Sequence, residues 1–181
     1  MELFPKQEEL RSRIEHSIAV RKSFVYEAGM RGGKTELARH IVRKLKKEDP
    51  KCLVYWVGTT ADAAKAVAYD IPDTMYVGAA KLLDMIGQGF KVPLEAVFVL
   101  DDAFWMDRGE ELFNKLTSGT YSPRVLAYGS RSDTPWQIDA YIPKFSTWEM
   151  NPDVSADDLA GRFVQDRKKA ERDFGPLPKN G

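Results

Sequence analysis

Apolar and polar positions along this chain follow two rhythms. Leu10, Ile14 and Ile18 recur every four residues after Phe4-Pro5-Lys6-Gln7, the spacing of one helix face. The apolar run Phe24–Tyr26 reads as a strand, and a helical stretch follows from about Gly33 to Lys47, where Asp49-Pro50 stops it. Cys52–Val57 and Ala96–Leu100 are unbroken apolar runs, the pattern of strands covered on both faces. Between them, Ala-rich residues 59–69 predict a helix, Thr74–Val77 a short strand, and residues 79–86 a helix before a Gly87–Gly89 turn. Residues 109–117 read as helix and Arg124–Tyr128 as a further strand ending at Gly129-Ser130. Residues 131–152 are irregular, rich in Trp, Pro and polar side chains, and one charged helix over about 155–172 precedes Gly175-Pro176-Leu177-Pro178. Alternating strands and helices predict an α/β fold with a mostly parallel central sheet flanked by helices on both faces. The expected organisation is one domain over residues 1–150 with a C-terminal helical extension or linker over 151–181.

Bulk composition narrows the classes. The chain has 181 residues, enough for one well-buried α/β domain. Its formal net charge is zero, which excludes a strongly basic, nucleic-acid-coating protein while leaving room for a local basic face. The single cysteine, Cys52, lies within an apolar run and reads as a small core residue; there is no disulfide framework, and His16 and His40 are the only imidazoles. No apolar run has the length of a membrane span, and the N-terminus lacks a signal-peptide pattern. A reducing, cytoplasmic setting and no membrane partner are therefore expected.

Chemistry concentrates at Gly29-Met30-Arg31-Gly32-Gly33-Lys34-Thr35, which sits between a predicted strand and a predicted helix. That context is what a phosphate-binding loop of a P-loop NTPase needs. Glycines let backbone N–H groups wrap a polyphosphate, and the helix N-terminus adds partial positive charge. Lys34 is placed for the β- and γ-phosphates and the Thr35 hydroxyl for Mg²⁺, so ATP and Mg²⁺ are the expected cofactors. The general pattern asks for glycine at position 28, and this chain has Ala28.

A second apolar strand ends in Asp101-Asp102. A carboxylate there can complete the Mg²⁺ shell beside Thr35, a role assigned to Asp101. The next one, Asp102, is assigned to orienting and polarising an attacking water. Solvated Asp residues are also common where strands end in turns. The phosphate loop upstream favours the catalytic reading, and the paired acids favour a hydrolase over a simple nucleotide-binding module.

These residues resemble the viral, or bacteriophage, terminase large subunits that package DNA. Gly29-Met30-Arg31-Gly32-Gly33-Lys34-Thr35 looks like the arginine-bearing phosphate loop of that family, and the strand ending in Asp101-Asp102 is similar to its metal-binding strand. Phe4-Pro5-Lys6-Gln7 resembles the segment whose glutamine recognises adenine, and Gly129-Ser130 sits where the family has its coupling motif. Phe145-Ser146-Thr147-Trp148-Glu149-Met150-Asn151-Pro152 and Arg172-Asp173-Phe174-Gly175 look like segments that follow the ATPase core. The resemblance implies an additional-strand P-loop ATPase that powers translocation of double-stranded viral DNA into a procapsid. It further implies a homo-oligomeric ring when working, a monomer or weak oligomer alone, and portal, procapsid, small-subunit or separate nuclease partners. The acid after the metal-binding Asp is usually Glu in the family and here is Asp102, one methylene shorter. The chain ends where the family's nuclease domain would begin, so no nuclease activity is expected of it.

Other residues carry two readings each. Arg31 is placed to contact the γ-phosphate from within the loop, or to point into solvent. Arg108, Arg124 and Arg131 are unranked candidates for an arginine acting on a neighbouring subunit. Gln7 can donate to and accept from adenine, or be a solvated residue at a helix start. Arg39, Arg43, Lys44, Lys46 and Lys47 on the loop helix, and Arg162, Arg167, Lys168, Lys169 and Arg172 near the C-terminus, can track DNA phosphates; interleaved acids favour a solvated face for the second group. Trp105, Trp136 and Trp148 read as core or interface anchors before base-stacking platforms. A nucleotide-binding regulatory or assembly subunit and a helicase-like accessory ATPase are the rival functions.

Overall fold

In the computed structural model, residues 2–130 and 136–179 are described. A fifteen-residue helix, α1 (Pro5–Ala19), leads into strand β1 (Phe24–Ala28) and then helix α2 (Lys34–Glu48). Strand β2 (Val54–Gly58), helix α3 (Ala61–Ala68), strand β3 (Thr74–Gly78) and helix α4 (Ala79–Gly87) follow. Strand β4 (Val97–Leu100) leads through a 3₁₀ turn (Ala103–Trp105) into helix α5 (Gly109–Thr117) and strand β5 (Arg124–Gly129). The chain closes with strand β6 (Lys144–Phe145) and helices α6 (Thr147–Met150), α7 (Ala156–Gln165) and α8 (Arg167–Phe174).

The six strands form one sheet in the order β3-β2-β4-β5-β1-β6, and every pairing is parallel. β5 therefore separates β1 from β4, which is the additional-strand arrangement. Side-chain alternation explains why the strands read as solid apolar runs. Tyr26, Val97, Val99, Leu126 and Tyr128 face the layer built by α1, α2 and α3, and their sequence neighbours Val25, Phe98, Leu100, Val125 and Ala127 face the layer of α4 and α5. Both faces are buried, so both sets must be apolar. Each large side chain so buried contributes about 1.5–3 kcal/mol of transfer free energy. Cys52 is a buried free thiol in the first of these layers.

Part of the basic face of α2, Arg39, Arg43 and Lys44, is taken up in ion pairs. Arg39 donates to both Asp70 carboxylate oxygens and to the Val67 carbonyl, Arg43 also pairs with Asp70, and Lys44 reaches Glu15 at 3.2 Å. These contacts brace α2 against α1 and the turn after α3.

Two stretches differ from their sequence patterns. The single helix expected over about 155–172 is two, because Asp166 is extended (φ −151°, ψ 91°) and its carboxylate accepts from Lys169 N at 3.0 Å, capping α8. The region expected to be irregular contains β6 and α6, of two and four residues, too short to leave a period. Arg131 lies outside the described residues.

Candidate nucleotide-binding site

The site gathers at the C-terminal ends of β1, β4 and β5. Ala28 still belongs to the strand, fully buried and in register with Phe145, so the glycine-poor position needs no glycine. The turn begins at Gly29, whose N–H donates to the Phe145 carbonyl at 3.0 Å, and Met30 N–H donates to the Asp173 carbonyl at 2.7 Å. Gly32 N–H returns to the Gly29 carbonyl at 3.2 Å. Arg31 and Gly33 take left-handed conformations (φ 64° and 82°), and Gly33 is the N-cap of α2. That conformation suits glycine at position 33; at position 31 it is borne by an exposed arginine at the tip of the loop.

Lys34 folds back along the loop, donating to the carbonyls of Ala28 at 3.0 Å and Gly29 at 2.9 Å. Burial draws its pKa down to about 8, against the pull of Asp102 and Asp101. Thr35 Oγ1 donates to Asp101 Oδ1 at 2.9 Å, so the assigned hydroxyl and carboxylate meet across 66 residues of chain. Among the described residues no cluster of three or more His, Cys, Asp or Glu side chains is placed to hold a metal by itself. One hydroxyl and one carboxylate are instead the hard-oxygen set that Mg²⁺ combines with substrate phosphates. Asp102 is exposed and left-handed (φ 56°), and its carboxyl pKa is raised, first by desolvation and then by Asp101, with Lys34 opposing. A raised carboxylate beside a cation can take a proton from water.

Gln7 is buried, its amide nitrogen donating to the Gly32 carbonyl at 3.0 Å and its oxygen accepting from Phe4 N–H at 3.1 Å. A Cβ at Gly33 would stand 2.8 Å from that nitrogen, so Gln7 supports the loop from below. Gly129 packs where a Cβ would come within 2.9 Å of the Phe104 ring, and Ser130 is buried beside the loop. Ser130, Met30 and Asp102 share the wall of a cavity of about 770 Å³ with Trp105, Arg162 and Lys169. Arg172 and Asp173 line it too; the Arg172 guanidinium lies over the Trp105 ring, 5.8 Å from its centre. Trp136 instead packs on Phe104 and Phe113, and Trp148 lies 6.2 Å from Phe163.

Arg108 is paired with Glu111 at 2.8 Å, and Arg124 starts β5 at the end of the sheet away from the loop, where it donates to the Glu95 carbonyl at 2.7 Å. Three loop-holding residues escaped sequence reasoning. Thr147 Oγ1 donates to the Met30 carbonyl at 2.6 Å, Asn151 Nδ2 to the Arg31 carbonyl at 3.3 Å, and Asp173 supplies the carbonyl that holds Met30. The Ser146-x-x-Glu149 capping box was the available signal that a fixed turn precedes Thr147.

No protein-family model matches this sequence, and no curated protein matches it. Solved structures do. The crystal structure of Pif1 helicase from Candida albicans aligns with a TM-score of 0.55 and 15% identity over 91% of this chain and 43% of the helicase chain. The crystal structure of Bacteroides Pif1 bound to ssDNA aligns with a TM-score of 0.39 and 12% identity over 71% of this chain and 32% of that one. The fold is that of a P-loop NTPase. The chain spans less than half the length of either helicase chain.

Proposed function

We propose that this chain is a Mg²⁺-dependent ATPase of the terminase type, which converts hydrolysis into movement of double-stranded DNA. The carrying observation is the 2.9 Å hydrogen bond between Thr35 and Asp101, with Lys34 and Asp102 at the same strand ends. The loop N–H groups beyond those of Gly29, Met30 and Gly32, with Lys34 once it swings from the Ala28 and Gly29 carbonyls, hold the triphosphate, and Arg31 extends from the loop's tip toward the γ-phosphate. Thr35 and Asp101 would hold Mg²⁺, which when bound would neutralise charge on the phosphates. Asp102 orients the attacking water and accepts its proton. Gly129, which ends the strand between the two halves of the site, and Ser130, which follows it into the cavity wall, pass on the state of the phosphates. The ring, portal and procapsid partners belong to this reading, as do adenine recognition by Gln7 after it leaves Gly32 and a separate nuclease.

A second reading, a helicase-like ATPase, is favoured by the fold likeness to the Candida albicans Pif1 helicase. Both readings make the same phosphate chemistry and differ in the polymer. ATP turnover against protein concentration, with double-stranded DNA, single-stranded DNA, or double-stranded DNA plus procapsid entry complex, separates them. The packaging reading expects turnover to rise with concentration and most with the last addition. Stimulation by single strands alone supports the helicase reading. A rate indifferent to concentration and to all three additions fits a regulatory nucleotide-binding subunit.

A further inference from the structure

The sheet carries a row of three side chains beneath the metal corner. Tyr26 on β1 is in register with Tyr128 on β5. Asp101 directly follows the last β4–β5 pair, Leu100 with Ala127, as Tyr128 does. In a parallel sheet such neighbours share a face, and both tyrosines face the α1–α2 layer that presents Thr35. The two rings lie 5.7 Å apart, and the tyrosines are 0% and 1% exposed.

Their hydroxyls are the anomaly. Neither Tyr26 Oη nor Tyr128 Oη makes a well-formed hydrogen bond, although both are fully shielded from water. A phenol left so is unfavourable, and phenylalanine would fill the same space. Tyr128 stands across from Asp101 in the β4–β5 register, on the face where Asp101 meets Thr35. Tyr26 stands one strand further from Asp101, on the far side of Tyr128. Tyr128 thus holds its proton beside a carboxylate whose well-formed bond is to the Thr35 hydroxyl.

We propose that Tyr128 is a positioning residue for the metal carboxylate, its phenol donating to Asp101 alongside the Thr35 hydroxyl once Mg²⁺ and a triphosphate are bound. This inference rests on the ATPase reading. The Thr35 hydroxyl has one proton for Asp101 Oδ1 and two lone pairs free for a cation, so it can keep its bond to Asp101 while it ligates. An ionised Asp101 accepts through two oxygens, so the single bond from Thr35 leaves the carboxylate free to turn, and the Tyr128 proton is the one at hand to hold it. Partners of this kind hold a ligating carboxylate in one orientation. Tyr26 closes the row behind Tyr128 and keeps water away from it.

The test is the Mg²⁺ concentration at which a fluorescent ATP analogue binds, measured for wild type, Tyr128→Phe and Tyr26→Phe below the melting transition of each. Tyr128→Phe is expected to raise the Mg²⁺ midpoint about tenfold. Its melting temperature without ligand should be unchanged or higher, because an unpaired hydroxyl is gone. Tyr26→Phe is expected to stay near the wild-type midpoint. An unchanged midpoint in Tyr128→Phe overturns the proposal, and so does an equal shift in both variants, which would mark a packing effect. Wild-type protein that binds the analogue at no Mg²⁺ concentration would instead remove the nucleotide reading itself.

Discussion

Thr147 Oγ1 donates to the Met30 carbonyl at 2.6 Å, fastening the segment after β6 to the middle of the phosphate loop. The same side chain explains Gly29, where a Cβ would fall on Thr147 Oγ1 and lie 2.7 Å from the Phe174 carbonyl oxygen. The loop is clamped between its own strand and the C-terminal helices. Thr147→Val keeps the shape and removes the bond, leaving a carbonyl unpaired, so chemical denaturation should show a loss of about 1–3 kcal/mol. Gly29→Ala should be worse, because backbone atoms of Thr147 and Phe174 must move. Wild-type stability in Gly29→Ala would show that the clamp is not closed in solution.

Lys34 sets the pH response of binding. Its folded value of about 8 lies below the ordinary 10.5, so between those limits the unfolded chain carries the extra proton. Stability of the free protein should therefore gain from this group as pH rises from about 8 toward 10.5. Triphosphate binding works the other way, since phosphate oxygens favour charged Lys34. Affinity should fall as pH rises above about 8, with proton uptake on binding, read by calorimetry in buffers of different ionisation heat. Lys34→Ala should abolish both the pH dependence and turnover.

The backbone explains why position 102 carries Asp. Its left-handed conformation (φ 56°) is one that Asp and Asn tolerate better than longer side chains. Asp102→Asn should fold normally, keep nucleotide affinity and lose turnover. Asp102→Glu adds a methylene at a strained position, and should lower melting temperature before any gain in rate appears. In wild type, turnover should decline toward low pH along a limb displaced above the ordinary carboxylate range, because protonated Asp102 cannot accept the water's proton. That limb should be missing from whatever rate Asp102→Asn retains.

Much of this was legible in the chain because it is local. A buried strand must be apolar on both faces, so Cys52–Val57 and Ala96–Leu100 declared themselves, and the strand–glycine–Lys34–Thr35 order is a backbone requirement written in sequence. What stayed hidden depends on contacts far along the chain. Gln7 meets Gly32 through tertiary packing, and the Asp173 carbonyl meets Met30 across 143 residues of chain through a backbone group that no side-chain pattern reveals. The row of Tyr26, Tyr128 and Asp101 needs the strand order, since β1 and β4 are joined only by β5. The split of the last helix turned on one residue, Asp166, whose cap outweighs the helical period around it.

The most direct test of the account is Mg²⁺-dependent ATP turnover by wild type and Asp102→Asn at equal concentration, with ATP binding measured on the same samples. The account predicts hydrolysis by wild type, its loss in Asp102→Asn, and equal binding by both. Equal turnover by the two proteins, or ATP binding by neither, would contradict it.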